Sequence, residues 1–433
     1  MIGLARQVRV VSVLAVLPFF LVGVAAAQEP DVPVVTLDEA IRLALLADPA
    51  LAATDAAITN AGADMLEARG SWLPPLTLNG TYANSSNQRF DQTTGQLVSE
   101  SYTAQIQTNY ELFGGGRRIA QRRQAGAVMR AAEANHRAQE YTTRLNTTDA
   151  FFRAAAAEEL VRAAEQRLAR ARQQHEFAQT RLEVGTATRS DVLRAEIELA
   201  NAELGLVEAE ASLRSARLEL GRLIGRSGPV RPAEFALPDS APELPPLESL
   251  LARAERAAPV TLAAQAAAEE RGAAKWAAFA SYLPTLRAIG GYDWFAYQFP
   301  PSQRSWSLRL VASLPVLNGF QREAAISRAT AAARVAEVRA RDAVLAARVS
   351  TENAVNEIAA AERRVAIARR TVELAEEDLR VQEERYRIGN ATILELQSSQ
   401  LALAEAVIEW VRARQALGVA VARLEAVLGE SLR

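Results

Sequence analysis

Two stretches of the chain carry mainly apolar residues at spacings that alternate between three and four residues, so the pattern repeats every seven residues. In residues 190–225 the positions that recur every seven residues are Val192, Leu199, Leu206, Leu213 and Leu220. In residues 393–429 the matching positions are Leu396, Leu403, Trp410, Leu417 and Leu424. A sustained spacing of this kind predicts coiled helices with a left-handed supercoil.

Two further stretches, residues 118–183 and 321–387, contain no proline and no clear helix stop. Each predicts one helix of about 100 Å, because an α-helix rises 1.5 Å per residue. Shorter helices are predicted over about 50–70 and 260–281. The pattern therefore predicts a mainly α fold built from helices of very different lengths.

Two pairs of segments alternate apolar and polar residues instead. In residues 102–112 one side carries Tyr102, Ala104, Ile106, Tyr110 and Leu112, and the other side is polar. We predict four strands, at about 74–84, 102–113, 285–297 and 305–316. Such alternation, with aromatic residues near the strand ends, is typical of a membrane barrel with a wet interior, although a half-buried sheet gives the same pattern.

Four strands are too few to close a barrel, and lipid does not tolerate an open sheet edge. The four strands therefore belong to an oligomer, or they lie outside a membrane.

Three segments of the first half return in the second half in the same order. WLPPLTLNGTY (72–82) returns 210 residues later as YLPTLRAIGGY (282–292). LFGGGRR (112–118) and RLEVGTATRSDVL (181–193) return 204 residues later as VLNGFQR and RYRIGNATILELQ. The order predicts a tandem duplication, with a first repeat at 28–227, a proline-rich linker at 228–246 and a second repeat at 247–433.

The composition limits the possible cellular location and chemistry of this protein. Residues 1–27 have the form of a secretory signal peptide, with Arg6 and Arg9 before an apolar run that ends in three alanines. The 433 residues include no cysteine, which excludes disulfides, thiolate metal sites and an N-terminal lipidated cysteine. The formal net charge of −2 gives no indication of nucleic-acid binding.

The ordered set of motifs in both halves resembles the TolC-like outer membrane efflux proteins, from about residue 34 to residue 429. The resemblance implies a long coiled α-helical barrel with a β-barrel portion. Four transmembrane strands per chain would close as a 12-stranded barrel in a homotrimer. It also implies a location in the bacterial outer membrane, in contact with its lipid and extending into the periplasm.

The resemblance further implies a passive exit duct of a tripartite efflux or type I secretion system. A periplasmic adaptor would recruit the duct, and a proton-driven or ATP-driven inner-membrane transporter would energise it. No enzyme activity and no cofactor is implied. A periplasmic coiled-coil scaffold without channel activity is the alternative that the helical pattern leaves open.

The two helix breaks centre on Gly185 and Gly389, which we expect to adopt a left-handed conformation that ends each long helix. Ser190 and Thr392 are the predicted N-caps of the helices that follow. On the resemblance, the breaks are periplasmic hairpin tips at about 184–190 and 388–393. The residues expected to dock the adaptor are Val184, Gly185, Thr186, Ile388, Gly389 and Asn390.

The resemblance also implies a gate just past the tips. The residues that match this pattern are Ser190, Asp191, Tyr386, Glu395 and Ser398. Three copies of an acidic residue around a trimer axis would form a ring that filters cations. The sequence departs from the family at Ser398, where an acidic residue is expected, and at Ala391, where an arginine is expected. Ordinary solvated helix charges would explain the same residues.

The remaining motifs do not indicate catalysis. The GGGRR segment (114–118) lacks the lysine and hydroxyl of a phosphate-binding loop. We predict a strand-to-helix turn there, at Gly114, Gly115 and Gly116, with Gly319 as its counterpart. His136 and His175 lie 39 residues apart on one predicted helix, so they cannot share a metal ion within the chain.

Overall fold

A computed structural model describes residues 32–91, 95–233 and 237–432 of the chain. The predicted signal peptide, residues 1–27, lies outside the described residues. The helices of the first half are α1 (Leu37–Ala47), α2 (Pro49–Gly70), α3 (Arg117–Glu183) and α4 (Arg189–Leu223). Those of the second half are α5 (Leu247–Ala257), α6 (Pro259–Phe279), α7 (Gln321–Arg387) and α8 (Ile393–Leu428), with a 3₁₀ turn at Ala280–Tyr282.

The strands are β1 (Val34–Val35), β2 (Thr77–Phe90), β3 (Leu97–Gly114), β4 (Arg231–Pro232), β5 (Thr285–Ala296) and β6 (Gln303–Ser313). Together with the helices they give the predicted mainly helical fold with a small sheet portion. The element order helix, helix, strand, strand, long helix, helix occurs in both halves. That order is what a tandem duplication predicts.

The helices form two antiparallel hairpins that lie side by side. Helix α3 packs against α4, and α7 packs against α8. Helix α3 also packs against α8, which joins the hairpins along their length towards the tips. Nearer the sheet, α2 and α6 pack against α3, and α6 packs against α7. The two long helices have 67 residues each, or about 100 Å.

The larger sheet is antiparallel, with the strand order β2-β3-β5-β6. Its register places residues of like polarity in rows across all four strands. One row contains Leu78, Ile106, Tyr292 and Trp306, and the adjacent row contains Asn79, Gln105, Asp293 and Ser305. The sheet therefore has one apolar face and one polar face.

Proline residues explain why two strand boundaries differ from the prediction. Strand β2 begins at Thr77 rather than at residue 74, because Pro74 and Pro75 lack the N–H groups that a ladder needs. Strand β6 ends at Ser313 rather than at residue 316, since Pro315 follows. At its other end β2 extends to Phe90, well beyond residue 84, through a polar segment that shows no alternation.

One of the buried clusters lies where the linker crosses the helices. Strand β1 pairs in parallel with β4 of the linker, and Leu237 packs into a cluster with Phe151 and Phe152 of α3. Arg414 of α8 is buried there, donates to the carbonyl oxygen of Leu237 and forms ion pairs with two carboxylates, Glu159 and Asp239. These bonds fasten the linker to both hairpins.

Candidate functional site

The break in the first half is a tight helix end. Gly185 follows α3 with φ +76°, the left-handed conformation expected of it. The N–H of Thr186 donates to the carbonyl oxygen of Arg181 at 2.8 Å, and the N–H of Gly185 donates to that of Leu182 at 3.0 Å. This pair of bonds is a Schellman motif, which satisfies carbonyl groups that the helix end leaves without partners.

The break in the second half has the same geometry. Gly389 has φ +83°. The N–H of Asn390 donates to the carbonyl oxygen of Arg385 at 2.7 Å, and the N–H of Gly389 donates to that of Tyr386 at 3.1 Å. Both long helices therefore end through the same local chemistry, and each reverses into the next helix within a few residues.

The N-cap predicted at Ser190 is wrong. Thr188 caps α4, because it has the extended backbone that an N-cap needs (φ −93°, ψ 159°), whereas Ser190 already lies inside the helix. Thr188 and Asp191 form a capping box, in which each residue's side chain accepts from the other's backbone N–H. The T-x-x-D spacing of this box was visible in the sequence.

The second tip has the predicted N-cap, Thr392, in an equivalent capping box with Glu395. The N–H of Thr392 donates to Glu395 Oε2 at 2.6 Å, and the N–H of Glu395 donates to Thr392 Oγ1 at 3.3 Å.

Hydrogen bonds from Thr188 lower the pKa of Asp191, and those from Thr392 lower the pKa of Glu395. Both carboxylates are therefore ionised near neutral pH and are held at their own helix starts.

Tyr386 is packed between the hairpins, where only 6% of it is exposed. Its neighbours in the buried cluster include Ala178, Ala195, Ile393 and Leu396, which come from both hairpins. Burial raises the pKa of its hydroxyl, and the nearby Arg181 opposes that shift. Ser190 and Ser398 lie on the outer surface of their helices rather than in this cluster. The structure thus brings the predicted gate residues to the same end of the molecule in very different environments.

Two residues at the tips, Arg181 and Phe177, were not predicted from the sequence. Arg181 lies over the ring of Tyr386 and over that of Phe177, and the two rings meet edge to face with centroids 6.0 Å apart. The signal in the sequence was an arginine four residues before the glycine of each break, at Arg181 and Arg385. That signal does not indicate which arginine reaches a partner outside its own tip.

The ends of the tips expose apolar side chains. Val184 is 68% exposed and Ile388 is 65% exposed, each beside its left-handed glycine. Thr186 and Asn390, on the other side of the glycines, are also exposed. An apolar residue held outward on a rigid turn is a suitable anchor for a protein partner.

The strand-to-helix turns lie at the opposite end of the long helices. Gly115 and Gly116 are left-handed, with φ +64° and +84°, and so are Gly319 and Phe320, with φ +64° and +63°. Gly114, predicted as part of the first turn, is the last residue of β3 instead, because the ladder with β5 continues to it.

The arginine two residues after each turn lies over an aromatic ring of its own half. Arg118 lies over Trp72 and Tyr110, and Arg322 lies over Tyr282. Both arginines are at the start of a long helix, and both rings at positions 72 and 282 precede the strands. The junction between helices and sheet is therefore built alike in the two halves.

Within the described ranges, no group of three or more His, Cys, Asp or Glu side chains is arranged to hold a metal ion. No helix in that part of the chain is both long enough and apolar enough to cross a bilayer.

Comparison with known proteins agrees with these features. The family model described as outer membrane efflux protein matches residues 40–226 and 250–430. The protein CyaE of Bordetella pertussis is 30% identical over 384 residues, which cover 87% of this chain and 79% of CyaE.

Two solved structures show the same fold at low identity. The outer membrane protein VceC of Vibrio cholerae superposes with a TM-score of 0.80 at 20% identity, over 92% of this chain and 97% of VceC. The open state of the MtrE outer membrane channel of Neisseria gonorrhoeae gives 0.77 at 22% identity, over 92% and 89%. Family and fold are those of channel proteins rather than enzymes. Because the family model covers most of the chain in both halves, the chain belongs to the outer membrane efflux protein family.

Proposed function

We propose that the chain is one subunit of a trimeric duct that carries cargo from the periplasm across the outer membrane. The duct is passive. A periplasmic adaptor recruits it through the hairpin tips, and an inner-membrane transporter supplies the energy. The observation that carries this proposal is the two-faced sheet with both edges open, placed at one end of a helical body.

The apolar face of the sheet suits lipid. Trp306 is 75% exposed in the single chain, and Leu78, Leu308 and Leu310 on the same face are also largely exposed. The polar face carries Asn79, Gln105 and Ser305, which suit a water-filled interior.

Among the residues that the structure describes, the outer strands β2 and β6 each pair with one other strand. Their free backbone groups need partners if the sheet lies in lipid, and further copies of the same sheet would supply them. Three copies would give the 12 strands of a closed barrel.

The exposed surfaces of the helices also favour association between subunits. Helix α4 exposes a line of aliphatic residues at Leu193, Ile197, Leu204, Val207 and Leu218. On α8, Val411 is the counterpart of Val207 at the 204-residue offset, and it is buried in the cluster that contains Phe151 and Phe152 of α3.

The contact of α8 with α3 inside one chain would be repeated by α4 of one chain against α7 of the next. Helix α7 offers a suitable surface, because several of its aliphatic residues are exposed in the single chain. They include Ile367, Leu374 and Val381.

The tips support the adaptor part of the proposal. They lie at the far end of the long helices from the sheet, about 100 Å away. With the sheet in the outer membrane, the exposed Val184 and Ile388 would face into the periplasm, where an adaptor can reach them.

Cell fractionation and single-channel recording test the proposed function. We expect the chain in the outer membrane fraction, a trimer on gels that is lost on heating, and stepwise currents in planar lipid bilayers. A monomer that is fully soluble without detergent would contradict the duct and favour a periplasmic scaffold.

A matched pair of variants tests the orientation of the sheet. Leu308→Arg places a charge on the lipid face and should cost about 2–4 kcal/mol near the bilayer centre, so that little trimer reaches the membrane. Ser307→Arg places the same charge on the neighbouring, polar face and should assemble normally. Equal assembly of the two variants would contradict the assignment of the faces.

A further inference from the structure

A cavity of about 700 Å³ lies beside the start of the long helix α3, where α2 and α6 pack against it. One acidic residue, Glu269, lines it together with four arginines, which are Arg69 of α2 and Arg122, Arg123 and Arg130 of α3. Arg130 forms an ion pair with Glu269, while the other three form no ion pair with any residue that the structure describes. The cavity therefore concentrates three positive charges in excess of its negative charge.

The cavity opens on the side of α3 that faces away from the interior of the proposed duct. Arg117, at the start of α3, pairs with Glu111, which lies on the polar face of the sheet. The residues of α3 that line the cavity lie within about 60° of the side of the helix opposite Arg117, because an α-helix turns about 100° per residue. The polar face of the sheet lines the interior of the proposed duct, so the cavity lies on its outer surface.

The cavity also lies close to the level at which the sheet would enter the membrane. Arg122 and Arg123 follow the first residue of α3 by about 8–9 Å along the helix axis. Arg69 is the last residue but one of α2, shortly before the strands begin. Polar headgroups occupy roughly 5–8 Å on each side of the hydrocarbon core of a bilayer. The guanidinium groups would therefore lie next to the phosphates of the periplasmic leaflet.

Apolar side chains lie beside the cavity on the side towards the sheet. Ile119 of α3 is 50% exposed, and Trp276 of α6 is 68% exposed. Trp276 follows Glu269 by seven residues, so it lies on the same face of α6 and closer to the sheet. An apolar edge towards the membrane with a basic cavity beneath it matches an anionic phospholipid, whose acyl chains lie in the membrane and whose phosphate lies at its surface.

The equivalent place in the second half lacks these charges. The counterparts of Arg122 and Arg123 in α7 are Ile326 and Ser327, at the 204-residue offset. The counterpart of Arg69 in α6, at the 210-residue offset, is a phenylalanine. The basic cavity is therefore a property of the first half and not a general consequence of the repeated fold.

We propose that this cavity binds the headgroup of an anionic phospholipid from the periplasmic leaflet of the outer membrane, with one molecule per subunit. Arginine suits this role, because its planar guanidinium group donates two parallel hydrogen bonds to a phosphate. The proposal rests on the proposed function, since only a sheet in the membrane brings the cavity to the level of the phosphates. A lipid bound there would hold the duct at a fixed depth in the membrane.

Native mass spectrometry of the detergent-solubilised trimer measures the binding. The probe is dioleoylphosphatidylglycerol, and the control lipid is dioleoylphosphatidylcholine, which has the same acyl chains and no net charge. We expect three phosphatidylglycerol molecules per trimer, bound about tenfold more tightly than phosphatidylcholine. Millimolar inorganic phosphate should not displace the lipid, because free phosphate makes no contact with the apolar edge formed by Ile119 and Trp276.

Two double variants separate the cavity from positive charge in general. Arg122→Gln/Arg123→Gln removes two of the three arginines outside the ion pair, and it should weaken phosphatidylglycerol binding about tenfold. Arg363→Gln/Arg364→Gln removes the same charge from an exposed pair on α7, about 60 Å from the start of that helix. It should change the binding by less than about twofold, because this pair lies far from the proposed membrane surface.

A further variant blocks the cavity and keeps every charge. Gly272 of α6 lines the cavity, and a Cβ atom added there meets no other atom within 4 Å. Gly272→Leu should therefore fold normally, place its side chain in the cavity and weaken phosphatidylglycerol binding about tenfold. It decides the question if Arg122→Gln/Arg123→Gln does not form trimers.

Three results would overturn the lipid site: equal binding of the two lipids, equal weakening by the two double variants, or unchanged binding in the cavity variant that assembles. Displacement of the lipid by inorganic phosphate would also overturn it and would assign the cavity to free phosphate. Trimers that form channels in planar bilayers and do not prefer phosphatidylglycerol contradict the lipid site alone. A chain that forms neither trimers nor channels contradicts the duct.

Discussion

The two halves of the chain have the same local structure and different neighbours. Each half ends its long helix in a Schellman motif, restarts in a capping box, and turns from strand to helix through two left-handed residues. Yet Gly115 lies against Ala280 and Leu283 of the other half, while its counterpart Gly319 has open space around it. Arg181 reaches the other hairpin, while Arg385 contacts only its own tip.

Residues close together in the sequence therefore determine the turns and helix caps. Which half of the chain a turn belongs to determines the residues that it contacts. Inside one subunit, elements of the first half face the second half. The equivalent elements of the second half face outward, where the proposed ring would bring the first half of the next subunit.

The strand-to-helix turns should respond differently to the same substitution. In Gly115→Ala the new Cβ would lie 2.6 Å from the carbonyl oxygen of Ala280 and 2.9 Å from Leu283 Cβ, at a left-handed φ. We expect a cost of about 3 kcal/mol, the sum of crowding and backbone strain, and little folded chain in the outer membrane. Gly319→Ala meets open space and should cost the subunit only about 1 kcal/mol. Equal stability of the two variants as unassembled subunits, measured by thermal unfolding before trimer formation, would contradict this difference.

The two capping boxes should respond alike. Thr188→Ala and Thr392→Ala each remove one N-cap and should cost about 1 kcal/mol locally. Hydrogen exchange read by mass spectrometry should show about fivefold lower protection in the first turn of α4 or α8, respectively. Ser190→Ala is the control, and it should leave the protection of α4 unchanged because Ser190 does not cap the helix. A larger effect of Ser190→Ala than of Thr188→Ala would instead make Ser190 the N-cap.

The stability of the two capping boxes should depend on pH in the same way. The pKa values of Asp191 and Glu395 are lowered in the folded tips, so the ionised caps stabilise the tips above the ordinary carboxyl range and this stabilisation is lost as the pH falls through the lowered values. We expect constant protection of both helix starts between about pH 7 and pH 5 and a decrease below about pH 4. Asp191→Asn should abolish this dependence in α4 and leave it in α8. A pH-dependent change centred near neutrality would contradict the assignment.

Substitution of Phe320 should have the smallest effect on the free energy of unfolding, and it should stabilise the protein instead of destabilising it. It holds a left-handed φ of +63° where the first half has Gly116. Phe320→Gly relieves that strain but gives the unfolded chain more freedom, so we expect a net gain of about 0.5 kcal/mol. Scanning calorimetry of the detergent-solubilised protein measures it, with Gly116→Ala as the reverse control. A clear loss of stability in Phe320→Gly would indicate that the exposed ring is needed in the assembled trimer or in lipid.

Much of the fold was predictable because its signals are local. The α7 boundaries followed to the residue from the flanking glycines and the absence of proline, and the heptads located α4 and α8 to within two residues. The far end of β2 was not predictable, because residues 85–89 are polar throughout and the register with β3 shifts between Asn84 and Arg89. The link from Arg181 to Tyr386 was not predictable either. It joins residues 205 apart and depends on how α3 packs against the second hairpin, which no local pattern encodes.

Cross-linking between subunits tests the ring most directly. Inside one chain the side chains of Gln124 and Glu270 are in contact, and the counterparts of these residues are Arg328 and Asn60. The protein has no cysteine, so introduced cysteines are its only thiols. After treatment with a short bismaleimide, Asn60→Cys/Arg328→Cys should give a covalent species of three chains, while Gln124→Cys/Glu270→Cys should stay at the mass of one chain. A single-chain mass for both variants would contradict a ring that repeats the contacts inside the chain between neighbouring chains.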